Sequence, residues 1–198
     1  MKFNNEKYSR KSTRLKGHNY SFPGAYFVTI CTQDRECIFG DVIDKRMVLN
    51  NNGNIARHLW FKLSKTFANI KSPTFVVMPN HIHGIIIIQR QIKNHIPQNT
   101  KNQKKDFLNE KPSMNSIEQP EWSLMKNPSL TLGKIVRFYK AQVTRRIRQN
   151  SDTYFRWQKN YYEEIIRNNR ELEQKRIYIL ENPSNWEEDT ENPKNKTP

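Results

Sequence analysis

The chain is predicted to be an α+β protein: a ferredoxin-like antiparallel sheet with helices on one face, plus a C-terminal helix that follows the last strand. Three observations predict it. Runs of β-branched and aromatic residues alternate with helix-period segments in the order β, α, β, β, α, β and then helix. The helical segments carry their apolar residues on one side only. At 198 residues the chain holds one ordinary core, and a second full domain would be hard to fit beside it.

Residues 1–20 read as a basic arm, since Met1 to Lys16 carries six basic residues against one acid and no apolar period. "AYFVTICTQ", set between "FPG" and "DRE", has the composition of a first strand. In "MVLNNNGNIARHLWFKLSKTF", Ile55, Leu59, Leu63 and Phe67 recur at every fourth position, one face of a helix. "SPTFVVMPNHIHGIIII" returns to β composition, with Pro79 and Asn80 supplying a turn or bulge between two strands.

The stretch 89–128 is rich in Asn, Gln, Lys, Pro and Ser and too poor in apolar residues to offset chain entropy, so it reads as a mobile insertion within a domain spanning 21–186. Helical order resumes in "SLTLGKIVRFYKAQVTRRIRQN". Leu132, Ile135, Val136, Tyr139, Val143 and Ile147 fall on one face, and Lys134, Arg145 and Arg148 turn toward the other. Strand-like pieces around "YFRWQ" and "YYEEIIR" precede a last helix, capped by Asn168 or Asn169 and running to about Asn182 before Pro183. The acidic, polar tail 187–198 is expected to be loose. There is no internal repeat.

A formal charge of +15, from 34 Lys and Arg against 19 Asp and Glu, suits a polyanionic partner, above all nucleic acid. No apolar run reaches the ~20 residues of a membrane span. The start lacks the apolar centre of a signal peptide, so an intracellular protein without a membrane partner is expected. Cys31 and Cys37 form no CxxC pair and read as ordinary small residues. There is no Gly-rich phosphate loop or Walker motif, so no nucleotide cofactor is expected.

The chemistry centres on "NHIHG". In a strand, His81 and His83 share a face while Ile82 points into the opposite layer, which presents two imidazoles side by side to a divalent metal. The competing reading is two half-buried histidines satisfied by backbone or water. A facial-triad oxygenase would need a carboxylate nearby, yet no acid lies between Asp44 and Asp106. For phosphodiester chemistry a tyrosine could serve as nucleophile. In "ELEQKRIYILENP", Tyr178 and Asn182 stand at i and i+4 on one helical face, so a phenol and an amide oxygen would approach the same object. Alternatively, Tyr178 packs on the sheet and Asn182 only ends the helix. Trp157, Gln158, Tyr161 and Tyr162 are read as packing residues before base-stacking ones, and His58 and His95 are not read as ligands.

Five blocks in order, "RLKGHNYSFPGAYFVTICTQDRECIFG", "VVMPNHIHGIIII", "LGKIVRFYKAQVTRRI", "RWQKNYYEEIIRN" and "YILENPSNW", resemble the REP-associated tyrosine transposases of the HUH single-strand transposase superfamily. The resemblance spans about Arg14 to Trp186. It implies His81, His83 and Asn182 as ligands of Mg²⁺ or Mn²⁺ and Tyr178 as the nucleophile. The implied reaction is cleavage and rejoining of single-stranded DNA at REP-like palindromic hairpins through a 5′-phosphotyrosine. Candidate DNA contacts are Arg10, Lys11, Arg14 and Lys16 of the arm, with His18 nearby, and Lys134, Arg145 and Arg148 of the basic helix. The resemblance further implies a bacterial cytoplasmic protein acting as a monomer. Two rivals stand beside it: a non-catalytic reader of hairpin DNA on the same fold, and a metal-dependent phosphate-ester hydrolase that uses water in place of Tyr178.

Overall fold

The computed structural model describes residues 23–89, 130–150 and 154–195. Arg10, Lys11, Arg14, Lys16, His18, His95 and the 89–128 insertion beyond Gln89 lie outside the described residues.

Strand β1 (Gly24–Cys31) is central. A separate antiparallel hairpin, β2 (Gly40–Ile43) and β3 (Arg46–Leu49), precedes helix α1 (Asn51–Thr66). The short strands β4 (Ile70–Lys71) and β5 (Phe75–Val77) lead into β6 (His81–Ile88), which pairs antiparallel with β1. Helix α2 (Leu132–Asn150) then crosses over to β7 (Tyr162–Ile166), which pairs antiparallel with the other side of β1, and α3 (Asn169–Glu181) follows. The sheet order β4-β6-β1-β7, with β5 also on β6, is the expected ferredoxin-like arrangement. No helix of the described residues is long and apolar enough to cross a membrane.

The two faces of the sheet have different covers. Tyr26, Val28, Ile30, Ile82 and Ile86 pack with the buried sides of α1 and α2. Phe27, Ile85 and Ile166 pack under Ile179 of α3 on the opposite face. A strand buried on both sides reads as a continuous apolar run, which is why "GIIII" shows no alternation. The first two helices therefore share a face, as expected, and α3 takes the other.

All six apolar residues assigned to the α2 face are buried. In α1 the buried line is Gly53, Ala56, Trp60 and Leu63, with Ile55, Leu59 and Phe67 at its partly buried flank. The expected stripe is rotated because the Trp60 indole is the centre of the contact. It lies on Gly84 of β6, where any Cβ would overlap the indole ring. The Tyr139 hydroxyl ties the two helices by donating to the Ala56 carbonyl at 2.9 Å.

Two segments depart from the sequence reading. The β2–β3 hairpin was not anticipated; Asp44 and Lys45 turn it, both in the left-handed region (φ 49° and 61°) without the usual Asn-Gly. The tail after Trp186 is not loose through Asn195. Asn192 Nδ2 donates to the Trp186 carbonyl at 2.9 Å, Asn195 Nδ2 to the Asp189 carbonyl at 2.9 Å, and Arg35 forms an ion pair with Glu191 at 2.9 Å. Its polar side chains bond to the segment's own backbone carbonyls and to Arg35 beyond the end of β1, so polarity here does not mean disorder.

Candidate metal and tyrosine site

Alternation along β6 puts His81 and His83 on the α3 side of the sheet, opposite Cys31 and Thr29 of β1, while Ile82 enters the helical core. Both imidazoles are buried, with ring centroids 4.4 Å apart.

His81 is oriented by the residue before it. Asn80 Nδ2 donates to the carbonyls of Arg35 (3.1 Å) and Glu191 (2.8 Å), which leaves Asn80 Oδ1 facing His81 Nδ1 at 2.8 Å. Nδ1 therefore carries the proton and donates, and Nε2 keeps its lone pair. That Nε2 is buried without a hydrogen-bond partner. His83 is held by Thr29 Oγ1, 2.8 Å from Nδ1, and stacks on Phe27 at 5.3 Å between centroids. Its Nε2 lies 3.3 Å from the Tyr178 hydroxyl.

Burial pushes the His81 pKa down to about 3, with the Asn182 amide opposing and the Arg35 charge adding to the shift. Burial likewise holds His83 well below the usual histidine range; His81 adds to this and Asp189 opposes it. Both rings are neutral at neutral pH, the form that binds metals.

Helix α3 starts at an Asn168 cap whose side chain accepts from the Glu171 amide at 2.9 Å, and it ends with Asn182 as C-cap, as the sequence predicts. Tyr178 is half exposed, and Asn182, one turn on, is buried. Asn182 Nδ2 donates to Asp189 Oδ2 at 3.1 Å, and its Oδ1 is buried without a partner.

Asp189 corrects the sequence reading that no carboxylate accompanies the histidines. Its Oδ2 is 3.8 Å from His81 Nε2, and ligand atoms of His81, His83 and Asp189 all lie within 4.8 Å of one another. The carboxylate reaches the site through the pinned C-terminal segment, and no spacing or period marks it in the sequence. Asn80 and Thr29 were missed for the same reason, since their roles exist only once the strands and the tail have docked.

Two buried acceptor atoms without donors, His81 Nε2 and Asn182 Oδ1, beside a carboxylate form a set that a cation would satisfy. Two imidazole nitrogens with carboxylate and amide oxygens fit a first-row divalent ion. The Tyr178 phenol is pushed up by burial and then by the Asp189 and Glu191 charges, with the Asn182 amide opposing, so the site without a cation holds it protonated.

The structure brings His81, His83, Tyr178 and Asn182 together and leaves the other described candidates apart. Lys134, Arg145 and Arg148 belong to α2, on the far face of the sheet from the histidines. Arg148 donates to the Phe155 carbonyl from Nε (3.1 Å) and a terminal nitrogen (2.9 Å), and with Arg156 it lies within 5 Å of the Tyr154 ring centroid (4.9 and 4.2 Å). His58 is exposed on α1. Trp157 is buried and Tyr161 packs against the core, but Tyr162 is 49% exposed.

The chain is 39% identical over 188 residues to an uncharacterized protein of Haemophilus influenzae, an alignment covering 95% of this chain and 96% of that one. No protein-family model matches it. Among solved structures it is similar to a REP-associated tyrosine transposase bound to a REP hairpin, with a TM-score of 0.51 at 18% identity over 87% of this chain and 74% of the other.

Proposed function

Because this chain belongs to one family with the Haemophilus influenzae protein and has the fold of the REP-associated tyrosine transposases, we propose that it is a tyrosine strand transferase acting on single-stranded DNA. The observation that carries the reading is the Tyr178 hydroxyl, 3.3 Å from His83 Nε2 and beside two buried acceptors that lack donors. A lone structural tyrosine accounts for neither orphaned atom.

In this reading His81 and His83, together with oxygen from Asn182 and Asp189, would hold Mg²⁺ or Mn²⁺. The ion, when bound, supplies Lewis-acid polarisation of the scissile phosphate and offsets the charge that develops on its oxygens. Tyr178 loses its proton to water, and its oxygen attacks phosphorus. The P–O bond to the 3′ oxygen breaks and that oxygen takes up a proton from water, leaving a 5′-phosphotyrosine and a 3′-hydroxyl. Attack by another 3′-hydroxyl reverses the step, so bond energy is conserved and no nucleotide cofactor is consumed. Asp189 serves the site twice: it takes the Asn182 amide nitrogen, which frees Oδ1, and it adds negative charge where a cation would sit. The hairpin that occupies the similar solved structure suggests hairpin DNA of the REP type as the partner.

The test incubates labelled stem-loop DNA bearing single-stranded flanks with the protein and Mn²⁺, followed by a denaturing gel. A covalent protein–DNA species that Tyr178→Phe abolishes is expected. Tight binding without an adduct identifies a non-catalytic reader, and cleavage that survives Tyr178→Phe identifies a water-using hydrolase.

A further inference from the structure

We infer that Tyr162 is a stacking platform for the nucleobase beside the phosphate held at the histidine site, an inference that rests on the DNA reading above. In the sheet, Tyr162 is the Cα partner of Thr29, and Thr29 is the Cα partner of His83. The three side chains therefore stand in one row on one face, and the Thr29 hydroxyl also touches His83 Nδ1 at 2.8 Å. Two inter-strand steps of ~4.8 Å place Tyr162 about 10 Å from His83 along the row. A neighbouring nucleotide of an extended strand spans that interval.

The ring is available. β7 ends the sheet order, so Tyr162 stands on an edge strand, and it is 49% exposed. Tyr161 points the other way and packs on the helical core. Of the pair "YY", the first tyrosine packs as read and the second leaves about half its surface exposed. The acid that shares its face on β7, Glu164, is neutralised by Lys175 at 2.6 Å, and the Lys175 ammonium lies 4.8 Å from the Phe27 ring centroid, itself 5.8 Å from that of Tyr178. A strand crossing from Tyr178 to Tyr162 thus meets no unpaired acid on this face of β7 and reaches an open aromatic side chain, the kind of platform on which unpaired bases stack without their sequence being read.

The test uses the full chain carrying Tyr178→Phe with Mg²⁺ present, so that the histidine site can hold phosphate while no tyrosine adduct forms. Stem-loop oligonucleotides carry 2-aminopurine at successive positions of the single-stranded flank. Tyr162→Phe keeps the ring, and Tyr162→Thr removes it while keeping a β-branched residue suited to the edge strand. We expect quenching at one flank position with Tyr162 or Phe, lost with Thr, together with about 10-fold weaker binding for Thr alone. Equal affinity and equal quenching across all three, in proteins that bind the DNA, overturns the stacking role and leaves the DNA reading intact. Failure of the Tyr162 protein to bind any stem-loop overturns both.

Discussion

The Asn80 side chain faces His81 with its oxygen 2.8 Å from Nδ1, while its nitrogen is spent on the carbonyls of Arg35 and Glu191. One turn residue thus sets the tautomer of a proposed ligand and ties it to a segment more than a hundred residues away in the chain. Asn80→Ala should weaken Mn²⁺ binding by roughly 10- to 100-fold, the usual cost of losing the group that orients a ligating histidine. It should also destabilise the fold by about 1–3 kcal/mol through two carbonyls left without a donor. Calorimetric Mn²⁺ titration and urea unfolding read the two effects separately.

Asp189→Asn should also weaken Mn²⁺ binding, because it removes the only carboxylate among the proposed ligands. In the metal-free protein it should lower the Tyr178 pKa, since the Asp189 charge is one of the causes that raises it. Ultraviolet titration of tyrosinate, with Tyr178→Phe as the reference, checks the direction.

The histidine pair imposes a pH dependence on the metal-free fold. Their folded pKa values lie below the usual 6.5, His81 at about 3, so the unfolded chain binds more protons in the window between. Stability should be full above about pH 6.5 and fall as pH drops toward 3, by at most about 1.4 kcal/mol per pH unit for each ring. Urea midpoints measured against pH should show the slope in the parent, and the double variant His81→Gln, His83→Gln should flatten it.

The part of the site that local spacing could carry was legible. His81 and His83 share a face because strands have a period of two, and Tyr178 and Asn182 share one because helices bring i and i+4 together. What had no local trace came from docking. Asp189 meets His81 only after Arg35 and Asn80 have pinned the tail, and a short acidic segment looks the same in a sequence whether it is solvated or held. The β2–β3 hairpin escaped because its strands are four residues long and half exposed, and its turn is Asp44-Lys45. The rotation of the α1 stripe was hidden because the reason for it, a glycine that admits an indole, sits on another strand.

Gly84→Ala tests that contact. The new methyl group would enter the space of the Trp60 ring, so a loss of about 1–3 kcal/mol is expected. Trp60→Phe in the same protein should recover part of it, and a double-mutant cycle on thermal unfolding measures the coupling.

Arg145 and Arg148 should separate by mechanism. Arg145 is exposed on α2, so Arg145→Ala should leave stability unchanged and, if it meets phosphate, reduce the salt slope of DNA binding by about 1. Arg148→Ala removes two hydrogen bonds to the Phe155 carbonyl and should lower stability as well. Melting curves beside salt-dependent anisotropy distinguish the two.

Tyr178, its hydroxyl 3.3 Å from His83 Nε2, is the group proposed to attack DNA. Peptide mass mapping of protein incubated with stem-loop DNA and Mn²⁺ addresses that role most directly. Nucleotide mass is expected on the peptide containing Tyr178 in the parent protein and none after His81→Ala. Nucleotide mass on any other tyrosine, or DNA cut with no modified peptide, would contradict it.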